Sequence, residues 1–152
     1  MKVKYFMRKK IITVNKNDSI TEAARKLMQN DITGAPVVDD DNKLVGVISE
    51  KDIFKKIYPN YQEYYSLLGF KEEEGDIKKR IKEAENIKVK EIMVKDVITA
   101  ESSDSAMRIG AIMMIKKINR VVIVDNGKLA GIVSRKDIFP NSFKNALEAN
   151  KK

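Results

Sequence analysis

The sequence contains no cysteine, no histidine and no tryptophan. Without cysteine there are no disulfides and no thiolate chemistry. Without histidine, the commonest general base and the commonest metal ligand are missing, which disfavours hydrolases and zinc enzymes. Neither a Gly-x-x-x-x-Gly-Lys phosphate loop nor a Gly-x-Gly-x-x-Gly dinucleotide loop occurs. We therefore expect a protein that is not an enzyme and that holds neither a metal nor a catalytic cofactor.

Long apolar runs are missing as well. No stretch of 18 apolar residues occurs, and the N-terminus lacks the apolar core of a secretory signal. We expect no membrane association and a cytoplasmic location. The formal net charge of +8 favours anionic partners such as nucleotides, nucleic acid or an acidic protein, although lysine-rich solvated helix faces would give the same charge. With 43% apolar residues among 152, the chain can build one compact domain or two small interlocked ones.

What the chain does contain is an internal repeat, which decides its architecture. The stretch G-K-L-A-G-I-V-S-R-K-D-I-F at 127–139 matches N-K-L-V-G-V-I-S-E-K-D-I-F at 42–54. Upstream, V-K-E-I-M-V-K-D-V-I-T-A at 89–100 matches V-K-Y-F-M-R-K-K-I-I-T-V at 3–14. The chain is thus predicted to be two copies of one structural unit.

Each copy predicts the order strand, helix, strand, strand, helix. The first helix is capped at Asp18 or Ser19 in one copy and at Asp104 or Ser105 in the other, before an apolar face with helical spacing. Asn-Gly between two apolar runs predicts a hairpin. The resulting fold class is α/β (α+β), with two pseudo-symmetric repeats, each a small three-stranded sheet with helices. Because one such unit is too small to bury its apolar surface, we expect the two to pack face to face.

The repeats predict the domain boundaries. Residues 1–57 form the first repeat, 58–88 a helical insert or linker, 89–143 the second repeat and 144–152 a C-terminal tail. The insert contains four of the five tyrosines and then a charged, helical run. It covers a face, forms a dimer contact, docks a partner, or is a solvated connector.

The Ser-x-x-Asp of each copy has two interpretations. Ser49 with Asp52, and Ser134 with Asp137, can simply cap the last helix of each repeat. An acidic side chain at a strand-to-helix corner can also accept the hydroxyls of a ribose, and the helix N-terminus offers N–H groups to anions. The occurrence of the motif in both copies favours a binding role.

The two copies differ in charge near this motif. Asn119 and Arg120 precede a strand of the second copy, and Arg135 and Lys136 lie inside its Ser-x-x-Asp. The first copy has Thr33-Gly34 and Glu50-Lys51 at these positions. Because arginine is the preferred phosphate ligand, we expect a phosphate at the second copy.

These motifs resemble the tandem cystathionine-β-synthase (CBS) domain pair, or Bateman module. The resemblance rests on V-K-x-x-M followed by I-T, on I-T-G-A-P-V-V-D, and on G-V-I-S-E-K-D-I with G-I-V-S-R-K-D-I, over residues 3–57 and 89–140. It implies two clefts between the repeats that bind adenosine-containing ligands: AMP, ADP, ATP, S-adenosylmethionine and relatives. It also implies a homodimer. Because we expect no appended domain, the chain would regulate a separate partner protein or act as a free sensor.

The resemblance assigns residues to each cleft. The phosphate-preferring cleft comprises Thr13, Asp18, Ile32, Thr33, Asn119, Arg120, Ser134, Arg135, Lys136 and Asp137. The mirror cleft comprises Ser49, Asp52, Thr33, Gly34, Thr99, Asp104 and Ile118. In the family the aspartate of Ser-x-x-Asp holds the ribose, and Arg120 matches a phosphate-binding arginine of nucleotide sensors. Asn119 departs from the histidine often found there, and Asp18 with Asp104 favours an uncharged or cationic adenosyl ligand.

The expected function is therefore a regulatory sensor that binds an adenosyl ligand. Two alternatives stay open. The net charge permits a nucleic-acid-binding protein, although the basic residues are spread out and not arranged in a stripe. The repeats also permit a structural dimerisation module with vestigial sites.

Overall fold

Two three-stranded sheets, one for each repeat, organise the fold. The computed structural model describes residues 1–66 and 74–151. The chain divides into two compact units, one formed by Ile12–Val97 and the other by Met1–Ile11 together with Ile98–Lys152. Within the described ranges, no helix is long and apolar enough to cross a membrane.

The unit of Ile12–Val97 contains the first sheet. Its elements in chain order are β1 (Val14–Asn15), α1 (Ile20–Gln29), β2 (Gly34–Val38), β3 (Leu44–Ser49), α2 (Glu50–Ile57), α3 (Tyr61–Ser66), α4 (Glu74–Ala84) and α5 (Val89–Ile92). The sheet order is β1-β2-β3, with β1 parallel to β2 and β2 antiparallel to β3. All of β2 is buried, which explains its uninterrupted Gly-Ala-Pro-Val-Val sequence.

Helix α1 forms because a capping residue precedes an apolar stripe. Of the two predicted caps, Ser19 is the N-cap, and its Oγ accepts the N–H of Glu22 at 3.1 Å. The buried residues of α1 are Ile20, Ala23 and Leu27, at the spacing of one helical face. This face forms the core of the unit together with the sheet.

The second unit repeats this plan. Its elements are a 3₁₀ turn (Val3–Tyr5), β4 (Thr99–Ala100), α6 (Ala106–Lys116), β5 (Arg120–Asp125), β6 (Lys128–Ser134) and α7 (Arg135–Ala149). The sheet order is β4-β5-β6 with the same strand directions. Asn126 and Gly127 both have positive φ, 52° and 75°, as the predicted two-residue hairpin turn requires. The predicted α/β class with two three-stranded sheets and helices is confirmed.

The compact units do not coincide with the sequence repeats at their N-terminal segments. Val3 is fully buried in the core of the second unit, and its N–H donates to Asp104 O at 2.9 Å. Arg8 pairs with Ile132 of β6 through two backbone hydrogen bonds, of 2.9 and 3.1 Å. The first V-K-x-x-M segment thus completes the unit built from the second repeat.

The converse holds for the second V-K-x-x-M segment. Val89 is fully buried in the core of the first unit, and its N–H donates to Asp18 O at 2.8 Å. Val94 pairs with Val47 of β3 through two backbone hydrogen bonds of 2.9 Å. The repeats therefore exchange their first segments. Each segment packs in the unit formed by the other repeat and makes equivalent contacts there.

The insert and the tail extend this core plan. Helix α4 packs against α1 and α2, and its Ala84 is buried in the core of the first unit. Residues 67–73 of the predicted insert lie outside the described residues. Residues 144–149, assigned to a tail in the sequence analysis, continue α7.

Candidate ligand-binding site

The Ser-x-x-Asp of the second repeat forms a capping box at the start of α7. The backbone N–H and the Oγ of Ser134 both donate to Oδ2 of Asp137, each at 2.7 Å. The side chain of Asp137 is only 12% exposed. Two short hydrogen bonds therefore hold this carboxylate in one orientation and leave Oδ1 outside the cap.

The first repeat has the same arrangement at the start of α2. The N–H and the Oγ of Ser49 donate to Oδ2 of Asp52 at 2.8 and 2.9 Å, and Ser49 Oγ accepts the N–H of Asp52 at 3.3 Å. Capping and ligand binding are therefore compatible, because the cap uses one carboxylate oxygen and a ligand can use the other.

Arg8 distinguishes the two copies, although it is not among the residues predicted from the sequence for either cleft. Its Nε donates to Oδ1 of Asp137 at 3.2 Å, and its side chain is 52% exposed. The position equivalent to Arg8 in the exchanged segments is Val94, which has no donor to offer Asp52. The ion pair that Arg8 forms with Asp137 therefore has no equivalent from Val94 at Asp52.

A sequence observation pointed to Arg8. In the aligned segments V-K-Y-F-M-R and V-K-E-I-M-V, the residue after the methionine is arginine in one copy and valine in the other. The segment exchange places Arg8 beside Asp137, the aspartate of the other repeat, and the role of Arg8 was not evident from the sequence for this reason. No alignment of the repeats places these two residues together.

Arg120 also lies beside the second Ser-x-x-Asp. It begins β5 and is the register partner of Ser134 on β6, while the C=O of Asn119 accepts the N–H of Arg135 at 2.9 Å. Arg135 and Lys136 are exposed, and Arg120 is half-buried. We call Arg8, Asn119, Arg120 and Ser134–Asp137 the basic corner.

The equivalent corner of the first repeat has the same backbone and different side chains. Gly34 is the register partner of Ser49, and the C=O of Thr33 accepts the N–H of Glu50 at 2.9 Å. We call Thr33, Gly34, Ser49–Asp52 and Val94 the neutral corner. The predicted difference in charge between the copies is therefore present, and Arg8 enlarges it.

Asp18 and Asp104, predicted to lie near the ligand, both serve local structure. Oδ2 of Asp18 accepts the N–H of Asn15 at 3.1 Å, and Oδ2 of Asp104 accepts the N–H of Glu101 at 2.9 Å. Asp104 also pairs with Arg108 at 3.0 Å. Both carboxylates thus close the loop between a short strand and a helix.

The other predicted residues lie at the ends of the elements. The C=O of Thr13 accepts Nζ of Lys26 at 3.1 Å, and Thr99 begins β4 with an exposed side chain. Ile32 and Ile118 follow α1 and α6 and pack, half-buried, against the cores of their units.

The residues predicted for each cleft are divided between the two compact units. Thr13, Asp18, Ile32 and the neutral corner's Thr33, Gly34, Ser49 and Asp52 belong to the unit of Ile12–Val97. Thr99, Asp104, Ile118 and the basic corner belong to the other unit. Within each unit, the strand start and the Ser-x-x-Asp are brought together.

In the part of the chain that the structure describes, no group of three or more acidic side chains is placed to hold a metal ion.

A profile of the CBS domain matches residues 3–59 and 89–142 of the chain. The chain belongs to the CBS domain family. The two corners just described are therefore the Ser-x-x-Asp corners of two CBS repeats, and the predicted relationship to tandem CBS pairs is confirmed.

Several known proteins resemble this chain along most of its length. The uncharacterised protein MJ1426 of Methanocaldococcus jannaschii is 34% identical over an alignment of 153 positions, and the alignment covers 91% of this chain and 89% of that protein. A homoserine O-acetyltransferase of Methanococcus vannielii is 33% identical, and the match covers 90% of this chain but only 24% of that enzyme. The CBS pair of protein MJ0100, solved in complex with 5′-methylthioadenosine and S-adenosyl-L-methionine, superposes with a TM-score of 0.71 at 28% identity, covering 95% of this chain and 98% of that one.

Proposed function

We propose that this CBS pair is a regulatory module that binds an adenosine-containing ligand and transmits the binding to a partner protein. The observation that carries the proposal is the pair of aspartates whose carboxylates are fixed by capping boxes through Oδ2 alone. A ribose diol donates two hydrogen bonds, and an oriented carboxylate with an oxygen outside the cap accepts them without rearranging the helix. The adenosyl compounds bound by the CBS pair of MJ0100 support this ligand class.

The ligand class includes AMP, ADP, ATP and S-adenosylmethionine, and the two corners are suited to different members. The basic corner gathers Arg8, Arg120, Arg135 and Lys136 around Asp137, a set suited to a phosphate. The neutral corner has Gly34 and Val94 at the positions of Arg120 and Arg8. It suits an adenosyl compound that carries no phosphate.

Isothermal titration calorimetry tests the proposal directly. Ligand-free protein is titrated with AMP, ATP and S-adenosylmethionine, and then compared with Asp52→Ala and Asp137→Ala. Each variant loses the ribose acceptor of one corner, so we expect one binding event to weaken by about tenfold or more, as for a lost charge-assisted pair of hydrogen bonds. Asp41→Ala is the matched control, because Asp41 is exposed in the β2–β3 turn and has the same charge.

The outcomes separate the candidate functions. Binding that both aspartate variants leave unchanged would refute the role of the carboxylates. Absence of heat with all three ligands, in protein shown by mass spectrometry to carry no co-purified ligand, would favour the structural dimerisation module.

The partner in the assembly is proposed to be a second copy of the chain. The second unit exposes six large apolar side chains on α6 and α7, each more than half exposed: Met107, Met114, Ile115, Phe139, Phe143 and Leu147. At on the order of 100 Å² each, they offer roughly 600 Å², which approaches the area of about 800 Å² that each partner contributes to a standard interface. In the first unit, α4 packs against the equivalent helices α1 and α2.

A further inference from the structure

The ion pair between Arg8 and Asp137 lies at the ribose-binding aspartate of the basic corner, and its consequence for ligand choice rests on the proposed function. Arg8 takes Oδ1 of Asp137, while the cap takes Oδ2. A ribose at this corner must therefore compete with a guanidinium for its acceptor. At the neutral corner the residue equivalent to Arg8 is Val94, whose side chain has no donor, so this competitor has no counterpart beside Asp52.

Arg8 is held at this corner by its backbone and not by its side chain. Its N–H and C=O both pair with Ile132, two residues before Ser134 on β6. The guanidinium is half exposed, so it can leave Asp137 while the strand stays in place. It has five N–H donors, more than one carboxylate oxygen can use, and a phosphate accepts two of them at once.

We propose that the ion pair between Arg8 and Asp137 makes the basic corner selective. It binds nucleosides that carry a phosphate in preference to nucleosides that do not. An uncharged nucleoside that takes Oδ1 of Asp137 breaks the ion pair and gives Arg8 nothing in return. A nucleotide breaks the same pair but supplies a phosphate for the released guanidinium. The basic corner therefore binds nucleotides selectively, whereas the neutral corner accepts both kinds of ligand.

The two corners can be measured separately. Asp52→Ala leaves the basic corner as the binding site, and Asp137→Ala leaves the neutral one. Each variant is titrated with AMP and with adenosine, and the selectivity is the ratio of the two affinities. We expect the ratio to be about tenfold larger in Asp52→Ala than in Asp137→Ala, as for one bidentate charge-assisted contact.

The decisive variant adds Arg8→Ala to Asp52→Ala. We expect adenosine to bind more tightly and AMP more weakly, so that the selectivity falls about tenfold. Arg25→Ala in the same background is the control, because Arg25 is a surface arginine that also pairs with an acidic side chain, Glu22. It should leave the selectivity unchanged.

Two contrary results have different meanings. If AMP binds Asp52→Ala but Arg8→Ala leaves the selectivity unchanged, or alters it no more than Arg25→Ala does, the role of Arg8 is refuted and the proposed function stands. If the unsubstituted protein binds none of AMP, ATP, S-adenosylmethionine and adenosine, the proposed function fails, and the role of Arg8 fails with it; if it binds S-adenosylmethionine but neither AMP nor adenosine, only the role of Arg8 is refuted. An arginine side-chain Nε–H NMR signal that disappears in Arg8→Ala should shift when AMP is added, which reports the release of the guanidinium independently of heat.

Discussion

At Asp52 and Asp137, the two oxygens of one carboxylate have separate tasks. Oδ2 accepts both donors of the capping serine, and Oδ1 is outside the cap. An ionised carboxylate can accept about four hydrogen bonds, so capping uses about half of its capacity. At Asp137 the remaining oxygen accepts a hydrogen bond from Arg8, whereas the equivalent residue near Asp52 is Val94, and we propose that this difference affects what each corner binds.

Asp125 shows the same chemistry in a purely structural role. It ends β5, and its Oδ1 accepts the backbone N–H of Ser102 at 2.9 Å, which ties the loop after β4 to the sheet. This hydrogen bond to the charged form lowers the pKa of Asp125 below its ordinary value of 3.8. Because the pKa is depressed in the folded state, the resulting stability is complete above the unfolded value and is lost as the pH falls through the folded value.

The pH dependence of Asp125 can be checked by NMR. We expect the side-chain carboxyl ¹³C signal of Asp125 to titrate with a midpoint below 3.8. In urea unfolding, Asp125→Asn should be less stable than the unsubstituted protein near neutral pH, and the difference should shrink below about pH 4. A midpoint at or above 3.8, or a difference that does not depend on pH, would contradict this account.

At the scale of elements, the exchanged V-K-x-x-M segments explain why two glycines recur in the strands. A Cβ at Gly131 of β6 would lie 2.8 Å from Met7 Sδ and 3.0 Å from Arg8 O. A Cβ at Gly46 of β3 would lie 2.6 Å from Met93 Sδ. The methionine of each segment thus packs directly over a glycine, and the motifs V-K-x-x-M and Gly-x-x-Ser form one contact.

Alanine at either glycine should therefore destabilise the protein. A thioether can shift, but the neighbouring backbone oxygen at 3.0 Å cannot move without disturbing the β-bridge that holds the segment. We expect Gly46→Ala and Gly131→Ala each to lower the free energy of unfolding by about 1–3 kcal/mol, as in other overpacked sites, measured by urea denaturation.

Gly110 supplies the control for this prediction. It lies inside α6, and a Cβ there would meet nothing within 4 Å. Gly110→Ala should stabilise the protein by about 0.5–1 kcal/mol, because alanine loses less conformational entropy than glycine in a helix. If Gly46→Ala and Gly131→Ala behaved like Gly110→Ala, the packing argument would be wrong.

At the scale of the whole molecule, the two units treat their outer helices differently. Helix α1 exposes one large apolar side chain, Met28, and α4 packs beside it. Helix α6 exposes three large apolar side chains, and α7, which packs against α6, exposes three more, among them Phe139 and Phe143, whose rings lie 4.7 Å apart. A large group of exposed apolar side chains favours an interaction surface, and the group on α6 and α7 belongs to the second unit.

The dimer prediction uses two equivalent methionines. Met114 on α6 and Met28 on α1 occupy the same position in the repeat, and their side chains are 77% and 75% exposed. We expect Met114→Glu to weaken a dimer by at least about tenfold, since it would bury a charge in the proposed interface, and Met28→Glu to have little effect. Sedimentation velocity over a concentration series measures both. A monomeric unsubstituted protein, or equal effects of the two variants, would overturn this assignment of the interface.

Local signals were enough to determine the elements and their order. Apolar spacing, serine caps and the Asn-Gly turn each act within a few residues, and each element that they predict in the repeats is present. The doubled motifs then determined the family and the Ser-x-x-Asp corners, because recurrence in the same order at a nearly constant offset indicates a common structural unit. The charge difference between Arg120 and Gly34 was also visible in the sequence.

Only the tertiary structure decided which segment completes which unit. The segment from Val3 to Arg8 has two equivalent units against which it could pack, so the repeat alone does not distinguish the two pairings. The exchange pairs Arg8 with β6 and Val94 with β3, and so gives Asp137 a guanidinium partner that the side chain of Val94 cannot give Asp52. The sequence by itself determined that the two Ser-x-x-Asp corners share one motif and differ in charge. The long-range pairing of strands, which no local pattern encodes, decided that one of their aspartates already has a partner.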